Sequence, residues 1–105
     1  MQNSISAKEG VRYTLAKTIL NPEAGLLLTQ LHSVMSAKHY AKRSIGNYTR
    51  EMRLLFSYYN EIDPRCIKTQ DIIDYIQHIK AVYKVGREKC HQVAQSCSFF
   101  YKHVL

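Results

Sequence analysis

Lysine and arginine gather at two places in this chain, each at the edge of an apolar, periodic segment. Lys38, Lys42, Arg43, Arg50 and Arg53 have only Glu51 among them, and Lys80, Lys84, Arg87 and Lys89 have only Glu88. The acids Glu61, Asp63, Asp71 and Asp74 lie in between. Ammonium and guanidinium groups bind phosphate through charge-assisted hydrogen bonds. A helix start adds free backbone N–H groups and partial positive charge, so cations at a helix entry make a phosphate site. Two such entries on one face of a bundle could straddle a groove of duplex DNA. Backbone contacts would then fix the register while polar first-turn residues face base edges. The plainer alternative is a solvated face that only keeps the domain in solution.

Other chemistry finds no support. There is no GxxxxGK[ST], GxGxxG or HExxH pattern, so no phosphate-cradling loop or zinc-protease helix is expected. Cys66, Cys90, His91 and Cys97 form no CxxC pair, and Cys90 and His91 point to different sides of a helix. Buried small thiols are expected there, with no metal and no cofactor. The five histidines are scattered, and nothing favours a Cys–His catalytic pair. Asn47-Tyr48-Thr49 matches a glycosylation sequon but lies inside an expected helix, so it is discounted.

The charge balance, 15 Lys+Arg against 8 Asp+Glu with a net charge of +7, calls for an acidic partner. Nucleic acid and anionic membrane are the usual ones. An apolar content of 46% is too high for a disordered basic tail. Three cysteines without a framework spacing favour a reducing compartment. No signal peptide and no apolar run near the ~20 residues that span a bilayer are visible, so the chain reads as soluble and cytoplasmic.

The elements that must position these residues follow from periodicity. At 105 residues the chain is expected to be one domain with a single core. Residues 1–21 read as an N-terminal arm or linker, with Val11, Leu15 and Ile19 spaced for a short helix. Asn21-Pro22-Glu23 opens a helix with a cap, a first-turn proline and an acid, and Leu27, Leu31, Val34 and Met35 follow. Positions 39–43 read as a connection. Ser44 reads as the cap of a second helix carrying Ile45, Tyr48, Met52, Leu55, Phe56 and Tyr59 on one broad face. Thr69 reads as the cap of a third, with Asp71 in its first turn and a stripe of Ile72, Ile76, Ile79 and Tyr83. Gly86 marks a break. A fourth helix then carries Cys90, Ala94, Cys97, Tyr101 and Val104 at steps of four and three. No strand-like alternation competes. The expected architecture is all-α, a small bundle of four helices over residues 22–105, or five if the arm adds one.

With these elements in order, "HYAKRSIGNYTREMRLLFSYYNEIDPRCIKTQDIIDYIQHI" followed by "REKCHQVAQSCSFFYKHVL" resembles the core-binding domain of tyrosine recombinases, the phage-integrase and XerC/XerD-like group. The shared elements fall on Tyr40, Ser44, Tyr48, Phe56, Thr69 to Tyr75 and Phe100 to Leu105, over roughly residues 22–105. Val85-Gly86 departs from the capping Ser or Thr of many relatives. The resemblance implies a SAM-like helical bundle that clamps double-stranded DNA, with helices two and four against the major groove. It assigns DNA-facing roles to Lys42, Arg43, Ser44, Asn47 and Tyr48, and to Lys84, Arg87, Lys89, His91, Gln92 and Gln95. Arg43 and Arg87 are the leading phosphate contacts, and Asn47 and Gln92 the candidates for base edges. Tyr48 fits the core equally well. The family's catalytic groups lie in a separate C-terminal domain, and this chain has no His-x-x-Arg. It is therefore expected to be a non-catalytic, DNA-binding fragment of an integrase from a bacterium, phage or mobile element. Alone it should be a monomer, while the parent assembles with other protomers on DNA. A rival reading is a helical protein-interaction domain whose basic face meets an acidic partner. A membrane-surface helix is more remote, because each stripe has neighbours to pack on.

Overall fold

In the computed structural model, residues 20–105 are described. The short helix expected around Val11, Leu15 and Ile19 lies outside them, as does nearly all of the arm. Four α-helices follow in order: α1 (Pro22–Ala37), α2 (Lys42–Tyr58), α3 (Thr69–Tyr83) and α4 (Arg87–Phe99). A 3-10 turn at Pro64–Cys66 leads into α3, and a π turn at Phe100–Val104 extends α4. No strand occurs among the described residues, so the all-α expectation holds.

The helix ends show where local chemistry decides. Asn21 caps α1: its side-chain oxygen accepts from Ala24 N at 2.9 Å, and its amide donates to Asn60 O at 3.1 Å. One side chain thus closes a helix start and ties it to the end of α2. The α1 exit is a Schellman turn, with Tyr40 N bonded to Met35 O and His39 N to Ser36 O, each at 3.0 Å. His39 takes the left-handed conformation, φ 65°, where glycine is usual.

Two expected caps move. Ser44 does not cap α2: the cap position is Ala41, with no side-chain bond, and Ser44 already sits in the first turn. The Schellman turn needs only His39 and Tyr40 to reverse the chain, so Lys42 and Arg43 are helical rather than part of a connection. Thr69 does not cap α3 either. Lys68 holds the cap position and Thr69 is the first helical residue. The acid three residues on, Asp71, reaches back to accept from Lys68 N at 2.9 Å, and this reach-back fixes the boundary.

The core takes a face from every helix. Ala24, Leu27, Leu28, Leu31 and Met35 of α1 meet Ile45, Met52, Leu54, Leu55 and Phe56 of α2, Tyr75 and Ile79 of α3, and Val93, Cys97, Phe99 and Phe100 of the last segment. Helix α2 packs on α1 and α4, and α3 packs on α4. Being gripped from two sides, α4 needs two apolar faces, and the stripe expected from sequence is only one of them. Ala94, Cys97 and Tyr101 line a groove shared with Ile72, Ile73 and Ile76 of α3. Ala94 remains exposed there, and Cys90 and Val104 are only half-buried. The other face, Val93, Ser96, Phe99 and Phe100, is more deeply buried. Ser96 is satisfied within its own helix, donating to Gln92 O at 2.9 Å. The π turn lets consecutive aromatics reach separate partners. Phe100 meets Phe56 edge-on at 5.3 Å, and the Tyr101 hydroxyl donates to Pro64 O at 2.7 Å.

Candidate nucleic-acid interface

The two basic openings do not lie side by side at one end of the bundle. Lys89, in the first turn of α4, donates to Glu51 Oε2 at 2.8 Å. Glu51 lies mid-way along α2, about 13 Å of helix rise from Lys42. Helix α4 therefore opens beside the middle of α2, and its far end crosses α2, with Phe99 against Tyr48 at 5.7 Å. Exposed cations stand at both openings, Lys42 and Arg43 at α2 and Lys84 and Arg87 at α4.

Glu51 is the hinge of this arrangement. Its side chain is 1% exposed, and Arg50 approaches its other side at 3.6 Å. A carboxylate removed from water costs several kcal/mol unless opposite charge replaces its hydration. Lys89 supplies that charge and joins α4 to α2. Sequence spacing held the signal: Glu51 follows Tyr48 by three and precedes Leu55 by four, on the apolar face. Its role as an interhelical anchor was missed because an acid among cations reads most simply as a surface charge.

The candidate residues divide by environment. Lys42, Arg43, Lys84, Arg87, His91 and Gln95 are exposed. Lys84 occupies the left-handed turn that ends α3, at φ 57°. Arg87 is the first helical residue of α4 and lines a surface depression of about 470 Å³ with Glu88, His91 and Gln92. Ser44, Asn47 and Gln92 are half-buried at the edge of the surface. Lys89 is committed to Glu51 and has little freedom to meet an outside phosphate. Tyr48 belongs to an aromatic cluster, with Tyr40 at 6.3 Å and Phe99 at 5.7 Å. Packing accounts for that ring without a ligand. No carboxylate pairs with Lys42, Arg43, Arg53, Lys84 or Arg87 among the described residues. Arg65, by contrast, is held by Glu23 and Asp63 at 2.9 and 3.3 Å on another part of the surface.

The thiols are spread out. Cys66 is exposed, Cys90 half-buried and Cys97 buried. No group of His, Cys, Asp and Glu among the described residues could hold a metal ion. Burial pushes the Cys97 thiol from 9.0 up to about 12, with the Glu51 charge adding to it. Within the described residues no helix is long and apolar enough to cross a membrane.

Residues 27–105 match the family model described as "Phage integrase, N-terminal SAM-like domain". No match was found among curated proteins or solved structures. With α2, α3, α4 and most of α1 inside the matched span, the chain belongs to the phage-integrase N-terminal SAM-like domain family.

Proposed function

We propose that residues 22–105 form the core-binding module of a tyrosine recombinase, gripping duplex DNA during integration and recombination. The observation that supports this reading is a set of exposed cations at two helix openings. Lys42 and Arg43 stand at the opening of α2 and Lys84 and Arg87 at that of α4, with no carboxylate among the described residues paired to any of the four. Family membership supports duplex DNA as the partner class. Arg43 and Arg87 hold phosphates, while Asn47 and Gln92, half-buried beside them, face base edges. Lys89 acts indirectly, by fixing α4 against α2. Strand cleavage belongs to a separate catalytic domain of the parent protein, which works in the cytoplasm of the cell hosting a mobile element and assembles with further protomers on DNA.

Titration with duplex DNA, followed by amide NMR, tests this. Shifts are expected around residues 42–47 and 84–92. Shifts confined to residues 61–79 would put DNA on the wrong surface. Equal binding to an acidic protein and to duplex, without the steep salt dependence of counterion release, would favour the protein-interaction reading. Incubation with nicked duplex is expected to give no covalent tyrosine adduct.

A further inference from the structure

A groove of about 480 Å³ runs between α1 and α2. Lys42, Gly46, Thr49, Arg50 and Arg53 form its α2 wall, and His32 faces them from α1. The groove continues along α1 past Gly25, and among the described residues no carboxylate lines either part.

Gly46 sits inside a helix, where glycine weakens the helix relative to alanine. Nothing within the described residues requires it. Its φ is not positive, and a Cβ there would meet no atom within 4 Å. A glycine with no conformational or packing reason fits a place where an outside group comes close to the backbone. The surrounding charges indicate which group. Lys42 stands one turn before Gly46, Arg50 one turn after and Arg53 two turns after. Thr49 Oγ1 and Arg50 Nε are buried with no hydrogen-bond partner among the described residues, although Arg50 also approaches Glu51 through Nη2. Lys42 to Arg53 spans about 16 Å of helix. A DNA strand carries one phosphate per about 3.4 Å of duplex axis, so this ridge can meet several.

We propose that the α1–α2 groove seats one phosphodiester strand of duplex DNA, which passes over Gly46 between Lys42 and Arg50. This rests on the DNA-binding reading and adds a second contact surface to the two helix openings. The seat accounts for a glycine that costs the free domain helix stability and for Arg53, which lies outside those openings.

The full chain with Gly46→Ala, Gly46→Gln or Arg53→Gln tests the proposal by duplex titration at several salt concentrations. Both Gly46 variants are expected to melt at higher temperature than wild type, yet bind duplex more weakly. Gly46→Gln, which fills the seat without changing charge, should lose about tenfold or more and lower the log K against log salt slope by about 0.9 per phosphate displaced. Arg53→Gln should lower the slope in wild type and have little further effect in Gly46→Gln, because both act on one seat. Wild-type affinity and slope in Gly46→Gln would overturn the seat and leave the DNA reading intact. Failure of wild type to bind duplex at low salt, or preference for phosphatidylserine vesicles over duplex, would overturn both.

Discussion

Lys89 and Glu51 illustrate how a charge can be structural in a basic domain. Their pair is asymmetric: Glu51 is 1% exposed, whereas the Lys89 side chain is 21% exposed. Removing the lysine takes the closer of two cations from a buried carboxylate, leaving Arg50 at 3.6 Å, while removing the acid leaves a lysine that already reaches toward water. Lys89→Met is therefore expected to cost about 3 kcal/mol, the range for breaking a buried pair, and Glu51→Gln distinctly less. Urea unfolding of the two variants checks the order; equal losses would contradict it. The thiols permit a second test at this scale. Cys66 is exposed and Cys97 buried, so a thiol reagent should label Cys66 in the native state and Cys97 only on unfolding. The Cys97 thiol is raised from 9.0 to about 12, and burial raises the Tyr101 hydroxyl as well. Both are neutral acids whose folded pKa exceeds the unfolded one. The Cys97 contribution to stability is complete below about pH 9 and lost as pH climbs toward 12, while that of Tyr101, raised from 10.0, starts to fall only above about pH 10. A urea midpoint that stays level across that alkaline window would contradict the burial of these groups.

Among the elements, the ends of α1 carry the most specific local chemistry. His39 in the left-handed region pays a conformational penalty that glycine avoids. No side-chain hydrogen bond is seen for it among the described residues, so His39→Gly is expected to stabilise the domain by up to about 1 kcal/mol. At the other end, Asn21→Ala removes both the cap to Ala24 and the bond to Asn60 O. A loss of about 1–2 kcal/mol is expected, toward the upper end for a cap because a second bond goes with it. Thermal melts of the two variants should shift in opposite directions.

For the molecule as a whole, the relevant quantity is the sum of its charges. With a net charge of +7, duplex affinity should fall by about 0.9 log units per log unit of salt for each phosphate neutralised. Arg43→Ala and Arg87→Ala should each lower that slope by about one and weaken all sequences alike. Asn47→Ala and Gln92→Ala should leave the slope unchanged and reduce discrimination between sites, by roughly 1–3 kcal/mol for a good bidentate contact. Salt titrations on two unrelated duplexes separate the effects. A sequence-specific loss from Arg43→Ala would reassign that residue to base reading.

What the sequence determined by itself was whatever depends on near neighbours. Asn21-Pro22-Glu23 opens α1 because a cap bonds within one turn. The α1 and α2 stripes follow from the helical period, and the shortage of acids near Lys42 and Arg87 is visible in a line of text. Tertiary structure decided the rest, because it depends on how helices meet. Which of two apolar faces of α4 would be deeper followed from its place between α2 and α3, so Val93 and Phe100 outrank Ala94. The crossing of α2 and α4 set Lys89 against Glu51 and drew Tyr48 into an aromatic cluster. The same crossing set the opening of α4 beside the middle of α2, a relation fixed only when Glu51 gave up water for a lysine 38 residues further along the chain.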